Sequence, residues 1–172
     1  MVTVSGQDSG LGRSVYRVLL ISYFFPPNAV IGSVRAEGLA KYLPHHGWEV
    51  VVLTADHPGG PDPRYRVYEA PHRHWLRVFE SFGELAQISK GSATRSRPRK
   101  AARWARSLAR NLLCYPDAQR GWYKSAVEHA LGILDQYDFD AIVSTSKPET
   151  CHLVASRVAR LSGLPWVADF RV

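Results

Sequence analysis

The stretch RVLLISYFFPPNAVIGSVRAEGLAKYLPHHGWEVVVLTA, residues 17–55, decides the fold. Arg17 to Phe25 is a continuous apolar run of strand length, the pattern of a strand covered on both faces. Pro26-Pro27-Asn28 makes a turn, and from Gly32 to Leu43 the residues Val34, Leu39, Tyr42 and Leu43 recur at helical spacing. His46-Gly47 stops that helix. Trp48 to Thr54 is a second buried strand. Strand, helix and strand in so short a span make a βαβ unit, which closes right-handed with parallel strands.

Outward from this unit the alternation continues. Pro58 to Pro63 is a Pro/Gly turn and Tyr65 to Ala70 a short third strand. Trp75 to Ile88 reads as helical, Ser89 to Arg97 as loose, and Pro98 to Leu113 as a helix with Ala101, Trp104, Ala105, Leu108 and Leu112 along one stripe. Gly121 to Tyr137 is helical, Phe139 to Thr145 a strand, Pro148 to Ser162 a helix opening on proline, and Pro165 to Phe170 a strand. Strands separated by helices throughout predict an α/β fold with a Rossmann-like open parallel sheet and helices on both faces.

The 172 residues suit one domain with one core. Residues 1–15 read as a flexible leader rich in Gly and Ser, and 16–172 as the domain. Lys and Arg number 22 against 15 Asp and Glu, a formal +7 that favours anionic partners. Cys114 and Cys151 lie far apart with no metal-ligand spacing, so neither a zinc site nor a disulfide framework is expected. No signal-peptide pattern or membrane-length apolar run is visible, which gives the expectation of a reduced, cytoplasmic protein.

In an open α/β sheet, ligands sit outside the C-terminal ends of the strands, so the loops after Phe25, Thr54, Thr145 and Phe170 matter most. In the first, Gly32 and Ser33 open a helix whose free N–H groups suit a phosphate or carboxylate; a plain serine-capped turn fits the same residues. A GxGxxG fingerprint is absent, because Gly6, Gly10 and Gly12 precede the strand, and this counts against NAD or FAD. In the loop after Thr145, the hydroxyls of Ser144-Thr145-Ser146 and Lys147 suit a polar acceptor or phosphate, or else simply cap the helix at Pro148. His152, one turn in, fits a packed histidine better than a base. Asp169 and Arg171 stand at the end of the last strand.

Arg95 to Arg110 holds seven cations and no acid. Arg99, Arg103, Arg106 and Arg110 flank the stripe of Trp104, the pattern of a helix lying on an anionic membrane surface at its inner face, or of a docked helix with a solvated basic face. No interleaved aromatic platform accompanies the charge, so a nucleic-acid partner is not expected.

Taken together with YPDAQRGWYKSAVEHA (115–130) and FDAIVSTSKPETCHLVASRVARLSGLPWVADFR (139–171), the opening stretch resembles the N-terminal domain of family-four-like glycosyltransferases, of the bacterial polysaccharide-biosynthesis type. The resemblance covers nearly all of residues 17–171, least clearly from about 70 to 113. It implies the first half of a GT-B fold: two Rossmann-like domains across a cleft, the first holding the acceptor, the second the nucleotide sugar, with no metal or cofactor.

By position, the resemblance puts Gly32, Ser33 and Arg35 towards the donor diphosphate. It puts Ser146, Lys147 and Pro148 on the acceptor side, with Asp169 and Arg171 at the cleft floor. Two residues depart from the family: Ile31 stands where relatives often have a second glycine, and Ser146 where some carry histidine. Relatives continue beyond the ADFR segment into a donor-binding domain, so this chain is expected to be inactive alone and to meet a nucleotide sugar only with that second domain. The implied acceptor is a glycan or a lipid-linked molecule. The alternatives are a non-catalytic membrane-associated subunit that recruits a separate donor-binding partner, an inactive remnant, or a nucleotide-binding regulator.

Overall fold

A computed structural model of the chain describes residues 15–28, 30–72 and 116–170. The helices expected over 75–88 and 98–113, the leader before Val15, and Arg171 lie outside the described residues. Five strands form one parallel sheet: β1 (Tyr16–Ile21), β2 (Trp48–Ala55), β3 (Arg66–Ala70), β4 (Ala141–Thr145) and β5 (Trp166–Asp169). Their order is β3-β2-β1-β4-β5. β1 is central, with Val18 opposite Val50 of β2 on one side and Ala141 of β4 on the other. Among the described residues the α-helices are α1 (Ile31–Tyr42), α2 (Tyr123–Leu134) and α3 (Thr150–Ser162).

The apolar run of β1 is buried on both faces because its side chains alternate between two cores. Leu19 and Ile21 join Val51, Leu53 and Ile142 under α2 and α3, with Ala126, Ala130, Ile133, Val154, Ala155 and Val158 facing them. Leu20 points the other way and joins Phe25, Val52, Ala36 and Ala40 under α1. Helices therefore cover both faces, with α1 on one and α2 and α3 on the other, as right-handed crossovers require when the strand order reverses at β1.

Among the boundaries that differ from the sequence reading, three have a physical reason in the hydrogen bonds or backbone at the element's end. β1 ends at Ile21, although the apolar run continues to Phe25. Beyond it the Ser22 N–H still donates to the Leu53 carbonyl, but the Tyr23 N–H donates to Cys151 Sγ of α3, so the ladder to β4 is lost. The helix expected from Gly121 starts as a 3₁₀ turn, Ala118–Trp122, because the Asp117 side chain accepts from the Gln119 N–H. α1 passes into a 3₁₀ turn at Leu43–His46 and stops at Gly47, whose φ of 79° favours glycine.

α1 is reversed relative to the usual amphipathic helix. Its inward residues are the small Ser33, Ala36 and Ala40, whereas Ile31, Val34 and Tyr42 are exposed. Small inner residues let the helix backbone lie close over Leu20, Phe25 and Val52. The apolar periodicity of Val34 and Tyr42 thus marks the outer face.

Candidate functional site

The strand order reverses between β1 and β4, and the crevice outside their C-terminal ends is where a ligand reaches an open α/β sheet. Two side-chain groups flank it. On the β1–β2 side the Tyr23 carbonyl accepts from Thr54 Oγ1 at 3.0 Å, from the Ala55 N–H at 3.4 Å and from His57 Nε2 at 3.1 Å. His57 Nδ1 lies 3.4 Å from Asn28 Nδ2, so the tautomer protonated at Nε2 satisfies both ring nitrogens. The Tyr23 hydroxyl is 2.5 Å from His72 Nδ1, and the His72 N–H donates to Asp56 Oδ1. Burial, reinforced by Asp56, raises the Tyr23 pKa to about 12, so its phenol stays protonated.

On the β4–β5 side, Trp166 Nε1 donates to Ser144 Oγ at 2.8 Å, and Ser144 Oγ lies 2.8 Å from His152 Nδ1. The Ser144 hydroxyl donates to Nδ1 or accepts from it according to which imidazole nitrogen carries the proton. His152 Nε2 is buried and has no hydrogen-bond partner among the described residues. The Phe170 ring lies 4.3 Å from the imidazole centroid to centroid. Desolvation holds the His152 pKa below its ordinary value, so the ring is neutral.

The residues singled out from the sequence fall into this frame as follows. Arg35, on the second turn of α1, and Asp169, at the end of β5, form a two-pronged ion pair, with Nη2 to Oδ1 at 2.6 Å and Nε to Oδ2 closer still. Ser33 is buried, and both its hydroxyl and its N–H donate to the Val30 carbonyl, at 2.7 and 2.9 Å. No side chain caps α1 at Val30, and Gly32 lies in its first turn. Ser146 is buried with its N–H donating to the Asp169 carbonyl at 3.1 Å; Pro148 is buried and Lys147 exposed. The structure thus brings Arg35, Asp169 and Ser146 together. Arg99, Arg103, Trp104, Arg106, Arg110 and Arg171 lie outside the described residues.

Sequence reasoning missed two contributors. One is Asp117, whose carboxylate accepts from the Thr150 N–H and Thr150 Oγ1, both at 2.7 Å. It therefore occupies the N-terminus of α3 with the protein's own negative charge. Its signal was local, since Asp117 followed by Gln119 has the form of an N-cap before the helix. The other is the group Tyr23, Asp56, His57 and His72. Asp56 and His57 directly follow β2, so their position at a strand's C-terminal end was the available signal.

Among the described residues, no group of three or more His, Cys, Asp or Glu side chains is placed to hold a metal ion, and no helix is long and apolar enough to cross a membrane.

The fold is that of a glycosyltransferase of known structure. The chain is similar to SsfS6, a glycosyltransferase of Streptomyces sp. SF2575, in its complex with thymidine diphosphate. The TM-score is 0.52 at 17% identity, over 90% of this chain and 38% of that one. A second structure of SsfS6 gives a TM-score of 0.49 at 17% identity, over 90% of this chain and 39% of that one. The chain thus spans about two-fifths of the length of that enzyme. No protein-family model and no curated protein sequence matches it. What is shared is the Rossmann-like α/β architecture of a GT-B enzyme.

Proposed function

We propose that this chain is the acceptor-side domain of a GT-B glycosyltransferase of the family-four-like, polysaccharide-building type, active only together with a donor-binding domain. The observation that supports it best is the Arg35–Asp169 clasp. It joins the first turns of α1, the proposed donor-phosphate side, to the end of β5, the proposed acceptor side, across the mouth of the switch-point crevice.

In this reading the start of α1 at Gly32 and Ser33 turns its partial positive charge towards the donor diphosphate. Arg35 holds a full positive charge near that turn, oriented by Asp169. Ser146, Lys147, Pro148, Asp169 and Arg171 line the acceptor side, for a glycan or a lipid-linked acceptor. During transfer the acceptor oxygen bonds to the anomeric carbon, the bond from that carbon to the diphosphate oxygen breaks, and the acceptor proton departs. Charge developing on the diphosphate needs several preorganised donors, and removing even one such donor costs about 10²–10³ in rate. The donor domain supplies the rest. The basic segment containing Arg99, Arg103, Trp104, Arg106 and Arg110 rests on anionic lipid at the inner membrane face.

The test is transfer of labelled sugar from nucleotide sugars to a membrane-lipid extract. The 172-residue chain alone is expected to transfer none, and the chain combined with a donor-binding domain to transfer readily. Transfer by the isolated chain would overturn the reading.

A further inference from the structure

His152 carries a buried nitrogen that neither the core nor the Arg35–Asp169 clasp uses. The residue is 6% exposed, its Nδ1 meets Ser144 Oγ at 2.8 Å, and its Nε2 is buried with no hydrogen-bond partner among the described residues. A leucine would fill the same place with no polar atom to strand, so the imidazole costs stability unless something pairs with Nε2. The ring nearest to it is Phe170, 4.3 Å away between centroids, with Trp166 at 6.4 Å. Phe170 directly follows Asp169 at the C-terminal end of β5 and is 68% exposed. An exposed phenyl ring thus lies against a buried imidazole with an unused nitrogen, on the proposed acceptor side of the crevice.

We infer that His152 and Phe170 form a subsite for a sugar ring: Phe170 turns off the imidazole to stack on the sugar's apolar C–H face, and a sugar hydroxyl pairs with His152 Nε2. The inference rests on the acceptor-side reading above and makes the group held there a saccharide. Because Ser144 can donate to Nδ1 or accept from it, Nε2 presents an N–H in one imidazole tautomer and a lone pair in the other. A hydroxyl is both donor and acceptor and satisfies either tautomer. A carboxylate or phosphate satisfies only the first, and an ammonium only the second. The charges that bear on the ring are the carboxylates of Glu149 and Asp169, which turn an anion away. The N-terminus of α3, which could otherwise draw an anion, already holds the Asp117 carboxylate. Phe170 adds a flat apolar surface beside the single polar atom, the combination that fixes both the place and the orientation of a ring with one apolar face and hydroxyls at its edge.

The experiment titrates the 172-residue chain, labelled with ¹⁵N in histidine, with the methyl pyranosides of glucose, mannose and galactose. The His152 ring nitrogens are read by NMR, and saturation transfer to the sugar gives the affinity of each variant. At least one sugar is expected to shift the Nε2 signal, and sodium phosphate and methylammonium chloride to leave it in place. Phe170→Ala and His152→Leu are each expected to weaken sugar binding about fivefold or more, and Phe170→Tyr, which keeps the ring, to retain it. Circular dichroism checks that the variants fold, and the exposed Phe170 carries the test if His152→Leu does not. The inference fails if no sugar moves Nε2, if phosphate or methylammonium moves it more than any sugar does, or if Phe170→Ala leaves sugar binding unchanged. Sugar binding at His152 in a chain that transfers nothing when combined with a donor-binding domain would sink the glycosyl-transfer reading and leave the subsite standing. Transfer that neither Phe170→Ala nor His152→Leu alters would remove the subsite and leave that reading intact.

Discussion

Arg35 of α1 and Asp169 of β5, 134 residues apart in sequence, close on each other through two parallel hydrogen bonds at the C-terminal edge of the sheet. Asp169 faces α1 because it shares a strand face with Val167, whereas Trp166 and Ala168 alternate towards α3. The pair ties the helix that follows the first strand to the end of the fifth. Asp169 raises the pKa of the guanidinium above its ordinary value, so Arg35 stays charged.

The Arg35 side chain is half exposed, so the pair contributes modestly to stability. A double-mutant cycle of Arg35→Ala and Asp169→Ala is expected to give a coupling of about 1 kcal/mol or less, shrinking as salt is added. Urea unfolding of the four proteins at low and high ionic strength measures it. A coupling several times larger would mean that the pair carries the fold rather than orients the edge.

Asp117 carries more. Its carboxylate accepts three hydrogen bonds, two from Thr150 and one from the Gln119 N–H, and Thr150 is fully buried. Asp117→Ala leaves buried donors unpaired and is expected to cost about 1–3 kcal/mol, whereas Asp117→Asn, which keeps an acceptor oxygen, costs less. Equal losses for the two variants in thermal unfolding would count against this account of the α3 N-terminus.

His152 gives the folded chain a sensitivity to acid. Burial lowers its pKa below the ordinary 6.5, because the charged ring would lose its water. Above that value the ring is neutral in folded and unfolded chains alike, and its contribution is intact. As pH falls from 6.5 down through the lowered folded value, the unfolded chain takes up a proton that the folded chain resists, and stability is lost. His152→Gln is expected to flatten that loss below pH 6.5 relative to the wild type. Parallel pH profiles for the two proteins would exclude His152 as the source.

Cys151 is fully buried, and burial pushes its thiol pKa up to about 12. A thiol held protonated and out of reach is inert. Iodoacetamide labelling mapped by mass spectrometry is expected to leave Cys151 unmodified in the folded chain and to modify it in urea. Rapid labelling under native conditions would contradict the packing of α3 on β1.

The fold was legible in the sequence where burial on both faces imposed it: residues 17–25, 48–54 and 139–145 read as strands because no polar alternation interrupts them. Strand ends were less legible. The run to Phe25 looks like one strand, yet Tyr23 turns its N–H to Cys151, a partner 128 residues away that no local pattern reveals. The inner face of α1 was hidden for a similar reason, since alanine and serine can occupy either side of a helix and only the sheet beneath decides. In the candidate site, position at a strand end drew attention to Arg35, Ser146 and Asp169. Asp117 and His57 carried local signals, an N-cap pattern and a place after a strand, whereas His72 meets Tyr23 only through a tertiary contact.

The measurement that tests the account most directly is a titration of the ¹⁵N-labelled 172-residue chain with uridine and thymidine diphosphates, followed by amide chemical shifts. The account predicts weak binding, on the order of millimolar for a lone half-site, with the largest shifts at the start of α1 around Gly32 and Ser33 and at Asp169. Micromolar or tighter binding by the isolated chain, or shifts confined to the far end of the sheet near Glu49 and Arg66, would contradict it.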